Sequence, residues 1–82
     1  MAKLLVVEDD ESVRTLAARA LERDGHAVNV AADGAQGLSL IREAAGSYDL
    51  VVSDIRMPEM DGIEMAKAAA ALFPAMKILL MT

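Results

Sequence analysis

Unbroken apolar runs that stop abruptly at acids alternate along this chain with stretches in which apolar residues recur every three or four positions. Leu4-Leu5-Val6-Val7 is closed by Glu8-Asp9-Asp10, and Leu50-Val51-Val52-Ser53 is closed by Asp54. Short β-branched and aliphatic runs of this kind read as strands buried on both faces. A further run, Lys77-Ile78-Leu79-Leu80-Met81, ends at Thr82. The weaker alternation around Val28 and Val30, within His26 to Ala31, predicts a strand with one less buried face, near an edge of its sheet.

Between these runs the period changes. Val13, Leu16, Ala17, Ala20 and Leu21 fall at i, i+3, i+4, i+7 and i+8, which predicts a helix with those residues inward and Arg14, Arg19, Glu22 and Arg23 outward. Gly25 supplies its stop. Asp33-Gly34-Ala35-Gln36 has the capping-box pattern and opens a second helix through Leu38, Ile41 and Ala45, broken by Gly46-Ser47. Asp61, with Glu64 three residues on, opens a third, Ala-rich at Ala66 and Ala68 to Ala71, which Pro74 terminates. The order βαβαβαβ with helical crossovers implies parallel strands and right-handed connections: an α/β fold with an open, doubly wound sheet.

Composition narrows the function. Eighty-two residues make a single small domain, 1–82, and 55% hydrophobic residues with 2% aromatics suit aliphatic helices on a buried sheet. Thirteen acids against eight basic residues leave a net charge of -5, so no direct nucleic-acid role is expected. No apolar run is long enough to span a bilayer, no membrane role is expected, and the default location is cytoplasmic. The methionines Met57, Met60, Met65, Met76 and Met81 read as gap-filling core, with Met57 and Met60 also placed to touch a partner. His26 reads as a partly exposed strand residue away from the acids.

In a parallel sheet everything just after a strand lies at one edge, so Glu8, Asp9, Asp54 and Thr82 converge if the first and third strands are neighbours. Carboxylates held that close raise one another's pKa unless a cation neutralises them, and a hard divalent ion such as Mg²⁺ suits such a site. Asp54, ionised and oriented there, is the candidate nucleophile toward phosphorus. Against this stands a plainer reading, in which Glu8-Asp9-Asp10 caps the first helix and complements its dipole. Asp61 reads as a helix cap rather than as a ligand.

Val7-Glu8-Asp9-Asp10 after the first strand, Asp54 with Met57-Pro58-Glu59-Met60-Asp61-Gly62 after the third, and Thr82 after the fourth resemble the receiver domains of bacterial two-component response regulators. The resemblance runs the length of the chain. It implies a flavodoxin-like receiver fold ending after the fourth strand, with Asp54 as phospho-acceptor and Mg²⁺ bound by Asp9 directly, by Glu8 largely through water, and by the main-chain carbonyl of Arg56. It further implies that Thr82 is the switch hydroxyl, and that the donor is a phosphohistidine on a sensor histidine kinase or phosphotransfer protein.

Receivers also carry a fourth helix, a fifth strand preceded by a catalytic lysine, and a fifth helix, for which these 82 residues have no counterpart. Lys3 and Lys77 lie five residues before a site residue, roughly 16 Å away at about 3.3 Å per residue, at the wrong end of the sheet. Two alternatives therefore stand beside a non-enzymatic phospho-acceptor. One is a receiver-like docking module without phosphotransfer. The other is a metal-dependent aspartyl-phosphate phosphohydrolase, for which Arg56 occupies the position where a second acid is expected. The fourth strand has no charge or proline from Ile78 to Met81, which predicts a homodimer through that edge.

Overall fold

The computed structural model describes residues 1–81. Its elements are β1 (Lys3–Val7), α1 (Glu11–Arg23), β2 (Ala27–Ala31), α2 (Gly34–Glu43), β3 (Leu50–Asp54), α3 (Gly62–Leu72) and β4 (Ile78–Met81). All pairings are parallel, in the order β2-β1-β3-β4. The chain leaves β1 to one side, returns past it, and continues to the other. With right-handed crossovers this reversal puts α1 on one face of the sheet and α2 and α3 on the other.

Strand alternation divides the apolar residues between those faces. Leu5, Val7 and Val51 are buried in one core with Ala31, Leu38, Ile41, Tyr48, Met65 and Ala69, beneath α2 and α3. Leu4 and Val6 point the other way and are covered as well. β2 is an edge strand and most of its residues are exposed. His26 stands just before β2, where its Nδ1 accepts the Ala2 amide at 3.1 Å. At the other edge Ile78 and Leu80 are half-buried, while Leu79 and Met81 are 52% and 45% exposed.

Two expectations about packing need correction. The sheet-facing side of α1 is Arg14, Ala17, Ala18 and Leu21, whereas Val13 and Leu16 are 51% and 72% exposed and Ala20 is exposed too. The small pair Ala17-Ala18 lets the helix lie close to β1 and β2, and the Arg14 side chain has a partner at the sheet rim. That turns the larger aliphatics to the flank. Met81 is likewise not core, because it lies on the outer strand; Met65 is fully buried, and Met57, Met60 and Met76 pack partly against the core.

Candidate functional site

β1 and β3 are neighbours in register, Val7 beside Ser53, so the residues that follow them emerge side by side at the carboxyl edge of the sheet. One carboxylate oxygen from each of Glu8, Asp9 and Asp54 lies within 4.8 Å of the others. The third acid of the first run does different work. Asp10 is the N-cap of α1, its Oδ1 accepting the Val13 amide at 3.1 Å. The helix-cap reading thus holds for Asp10, while Glu8 and Asp9 face Asp54.

Glu8 is the buried member, at 9% exposure, with Asp54 half-buried and Asp9 exposed. Burial holds the Glu8 carboxyl above its ordinary value of 4.5, a hydrogen bond from the Asp10 amide partly offsets this, and the charges on Asp54 and Asp9 push it up again. The donor set is all hard oxygen and carries excess negative charge, so it fits a hard divalent cation better than a soft metal.

The loop after β3 is held from both sides. Gly62, first residue of α3, donates its amide to the Ile55 carbonyl at 2.9 Å, and a Cβ there would collide with the Asp54 main-chain oxygen. The glycine of the Asp61-Gly62 pair is therefore required by close approach, while Asp61 caps α3 through the Glu64 amide at 2.8 Å. Farther along, Glu59 takes a left-handed conformation (φ 69°), and the Met60 carbonyl accepts the Gly34 amide at 3.1 Å, tying the loop to the start of α2. An open cleft of about 380 Å³, lined by Asp9, Ile55, Arg56, Met57, Pro58 and Asp61, adjoins the acids. The Arg56 amide faces Asp54 Oδ1 at 3.4 Å. Thr82 lies outside the described residues.

Sequence reading placed Arg14 outward and missed that its Nη1 donates to the Glu8 main-chain oxygen at 2.9 Å. A signal was present: Arg14, Ala17, Ala18 and Leu21 fall at i, i+3, i+4 and i+7, an equally regular face lined by small residues. Lys3, by contrast, sits at the far end as expected, its Nζ 3.1 Å from Ser47 Oγ and 4.9 Å from the centre of the Tyr48 ring.

Comparison with known proteins names the architecture. Residues 4–82 match the family model described as "Response regulator receiver domain". The chain is 38% identical over 82 residues to the response regulator receiver protein CpdR of Brucella abortus, covering all of this chain and 67% of that protein. It is 40% identical over 78 residues to the sensor kinase CckA of the same organism, covering 95% of this chain and only 8% of the kinase. Among solved structures, a response regulator receiver domain protein from Clostridium thermocellum superposes with a TM-score of 0.92 at 29% identity, over 98% of this chain and 64% of that one. The flavodoxin-like architecture and the acidic edge have one common explanation: this chain belongs to the response regulator receiver domain family of two-component signalling proteins.

Proposed function

We propose that the chain accepts a phosphoryl group on Asp54 from the phosphohistidine of a sensor histidine kinase or phosphotransfer protein, with Mg²⁺ held by Glu8, Asp9, Asp54 and the Arg56 main-chain carbonyl. The observation that carries this reading is the placement of Asp54, half-buried at the end of β3, with its carboxylate beside Glu8 and Asp9. An Asp54 oxygen attacks phosphorus, the P–N bond to the donor imidazole breaks with its electron pair going to nitrogen, and an acyl phosphate forms. The cation, when bound, offsets the charge of the acids and of the phosphoryl oxygens. Ser53 Oγ donates to the Asp54 carbonyl at 2.9 Å and the Gly62 amide holds the next one, so the backbone carrying the nucleophile is fixed before the donor arrives. Thr82, next in the chain after Met81, would supply the switch hydroxyl.

The protein acts in this reading as a regulator, not as an enzyme on outside substrates, and it works in the cytoplasm beside its kinase. No helix among the described residues is long and apolar enough to cross a membrane. The net charge of -5 supports a protein partner over a nucleic acid. Incubation with acetyl phosphate and Mg²⁺, followed by borohydride trapping and mass spectrometry, tests the assignment. One phosphoryl group on Asp54, absent in Asp54→Asn, is expected; a label elsewhere or none at all would contradict it.

The exposure of Leu79 and Met81 on an edge strand supports a second element of this reading, a homodimer in which β4 pairs with β4 of another copy. Light scattering across a concentration range should then show mass rising toward twice the monomer, and Leu79→Lys should return it to monomer. A wild-type monomer at high micromolar concentration would refute the dimer.

A further inference from the structure

Arg14 is a charged residue on the sheet-facing side of α1, where an amphipathic helix ordinarily places an apolar one. Its guanidinium is directed not at any of the acids but at the main-chain oxygen of Glu8, 2.9 Å from Nη1. That oxygen belongs to the peptide joining Glu8 to Asp9, whose plane sets the directions from which both carboxylates leave the chain. The turn is anchored on either side of this peptide. The Glu8 amide donates to the Ala31 carbonyl at 3.0 Å; beyond it, Asp10 caps α1 and its carbonyl accepts the Arg14 amide at 2.8 Å. Between those anchors the peptide is gripped by the Arg14 side chain.

Something must hold it, because the acids on this turn and Asp54 repel one another, and an unrestrained turn would relax by swinging Glu8 or Asp9 away. Arginine suits the task. Its planar fork loses less freedom per hydrogen bond than a lysine does. We propose that Arg14 is a positioning residue: through the Glu8 carbonyl it keeps the turn after β1 in the shape that presents Glu8 and Asp9 to Asp54 before a cation arrives.

This rests on the reading of the acids as a divalent-cation site, and it makes a prediction whose sign is decisive. As a bare positive charge near the pocket, Arg14 opposes cation binding, so its removal would tighten Mg²⁺. As a positioning group it does the reverse. Replacing a residue that orients metal ligands typically weakens affinity roughly tenfold or more. A residue that only packs under α1 would change the melting temperature and leave the affinity of the folded protein alone.

The experiment uses Arg14→Met, which keeps the apolar stem, Arg14→Lys, which keeps the charge without the fork, and Arg14→Gln in case the methionine variant does not fold. Mg²⁺ titrations followed by amide shifts should show affinity falling roughly tenfold in Arg14→Met or Arg14→Gln, with partial recovery in Arg14→Lys. In metal-free protein, exchange of the Asp10 amide, which donates to Glu8 Oε1, should speed up in the same order while that of Val51 stays constant. Equal or tighter Mg²⁺ binding, or unchanged exchange at Asp10, overturns the proposal. If wild type itself does not titrate with Mg²⁺, the cation reading fails, and the exchange comparison alone then decides whether Arg14 holds the turn.

Discussion

The two ends of the sheet handle charge in opposite ways. At the amino end the Lys3 amide donates to Asp49 Oδ2 at 2.7 Å, the Lys3 ammonium reaches Ser47 and lies over the Tyr48 ring, and the Tyr48 hydroxyl donates to Asn29 at 3.1 Å. Donors and acceptors there satisfy one another. A larger hollow, about 550 Å³ between Tyr48, Phe73, Met76 and Lys77, lies at that end without a cluster of like charge. At the carboxyl end Glu8, Asp9 and Asp54 share one small volume, and the Arg14 guanidinium there donates to a peptide oxygen. The contrast separates structural from functional polarity: one end satisfies its own donors and acceptors, and the other gathers like charges that, in the proposed function, a cation offsets.

Breaking the acidic end should have the largest effect. If the proposed site is right, Asp9→Asn should lower Mg²⁺ affinity by at least roughly tenfold, equivalent to about 1.4 kcal/mol of binding energy, because it removes one carboxylate charge from the acidic cluster without disturbing the core. Mg²⁺-dependent shifts of the Glu8 and Asp54 amides provide the readout. An unchanged curve would remove Asp9 from the site.

Glu8→Gln sharpens the contrast through stability. Since burial and its neighbours raise the Glu8 pKa above 4.5, the folded state holds that proton more tightly than the unfolded chain does. This contribution to stability is fully present below the ordinary pKa and is lost as pH rises through the raised one. Metal-free wild type should therefore lose stability between those limits and stay level above them. Glu8→Gln should flatten that part of the profile and melt higher than wild type at neutral pH, while binding Mg²⁺ more weakly. Thermal melts from acid to neutral pH, in chelator, decide it; a variant less stable than wild type at neutral pH would show that Glu8 is not under strain.

The smallest effect belongs to the other end. Lys3→Met removes the contacts of its exposed ammonium with Tyr48 and Ser47, and should cost roughly 0.5–1 kcal/mol of stability with no change in Mg²⁺ affinity. A change in affinity would mean that the two ends are coupled.

Strand identity and the acidic edge were legible because the signals are local: aliphatic runs stopped by Glu8 and by Asp54, with crossovers of helical length that force parallel strands. The division of labour within Glu8-Asp9-Asp10 was not. All are carboxylates, and only the backbone of α1 shows that Asp10 faces the helix amides. The buried side of α1 was misjudged for a related reason. Val13 and Leu16 are larger and more apolar than Ala17 and Ala18, but close approach to the sheet favours the small pair, and Arg14 gains a partner at the rim that no periodicity encodes. The glycine at position 62 could be read as a turn signal; that any Cβ there would collide with the Asp54 carbonyl depends on where α3 starts in space.

The central claim is that a divalent cation binds at the carboxyl edge and not elsewhere on the surface. It is tested most directly by titrating wild-type protein with Mg²⁺ and following every backbone amide. Saturable shifts at Glu8, Asp9, Asp54 and Arg56, with Lys3, Ser47, Tyr48 and Asp49 unmoved, are predicted. Shifts spread evenly over both ends, or none at the acids, would contradict it.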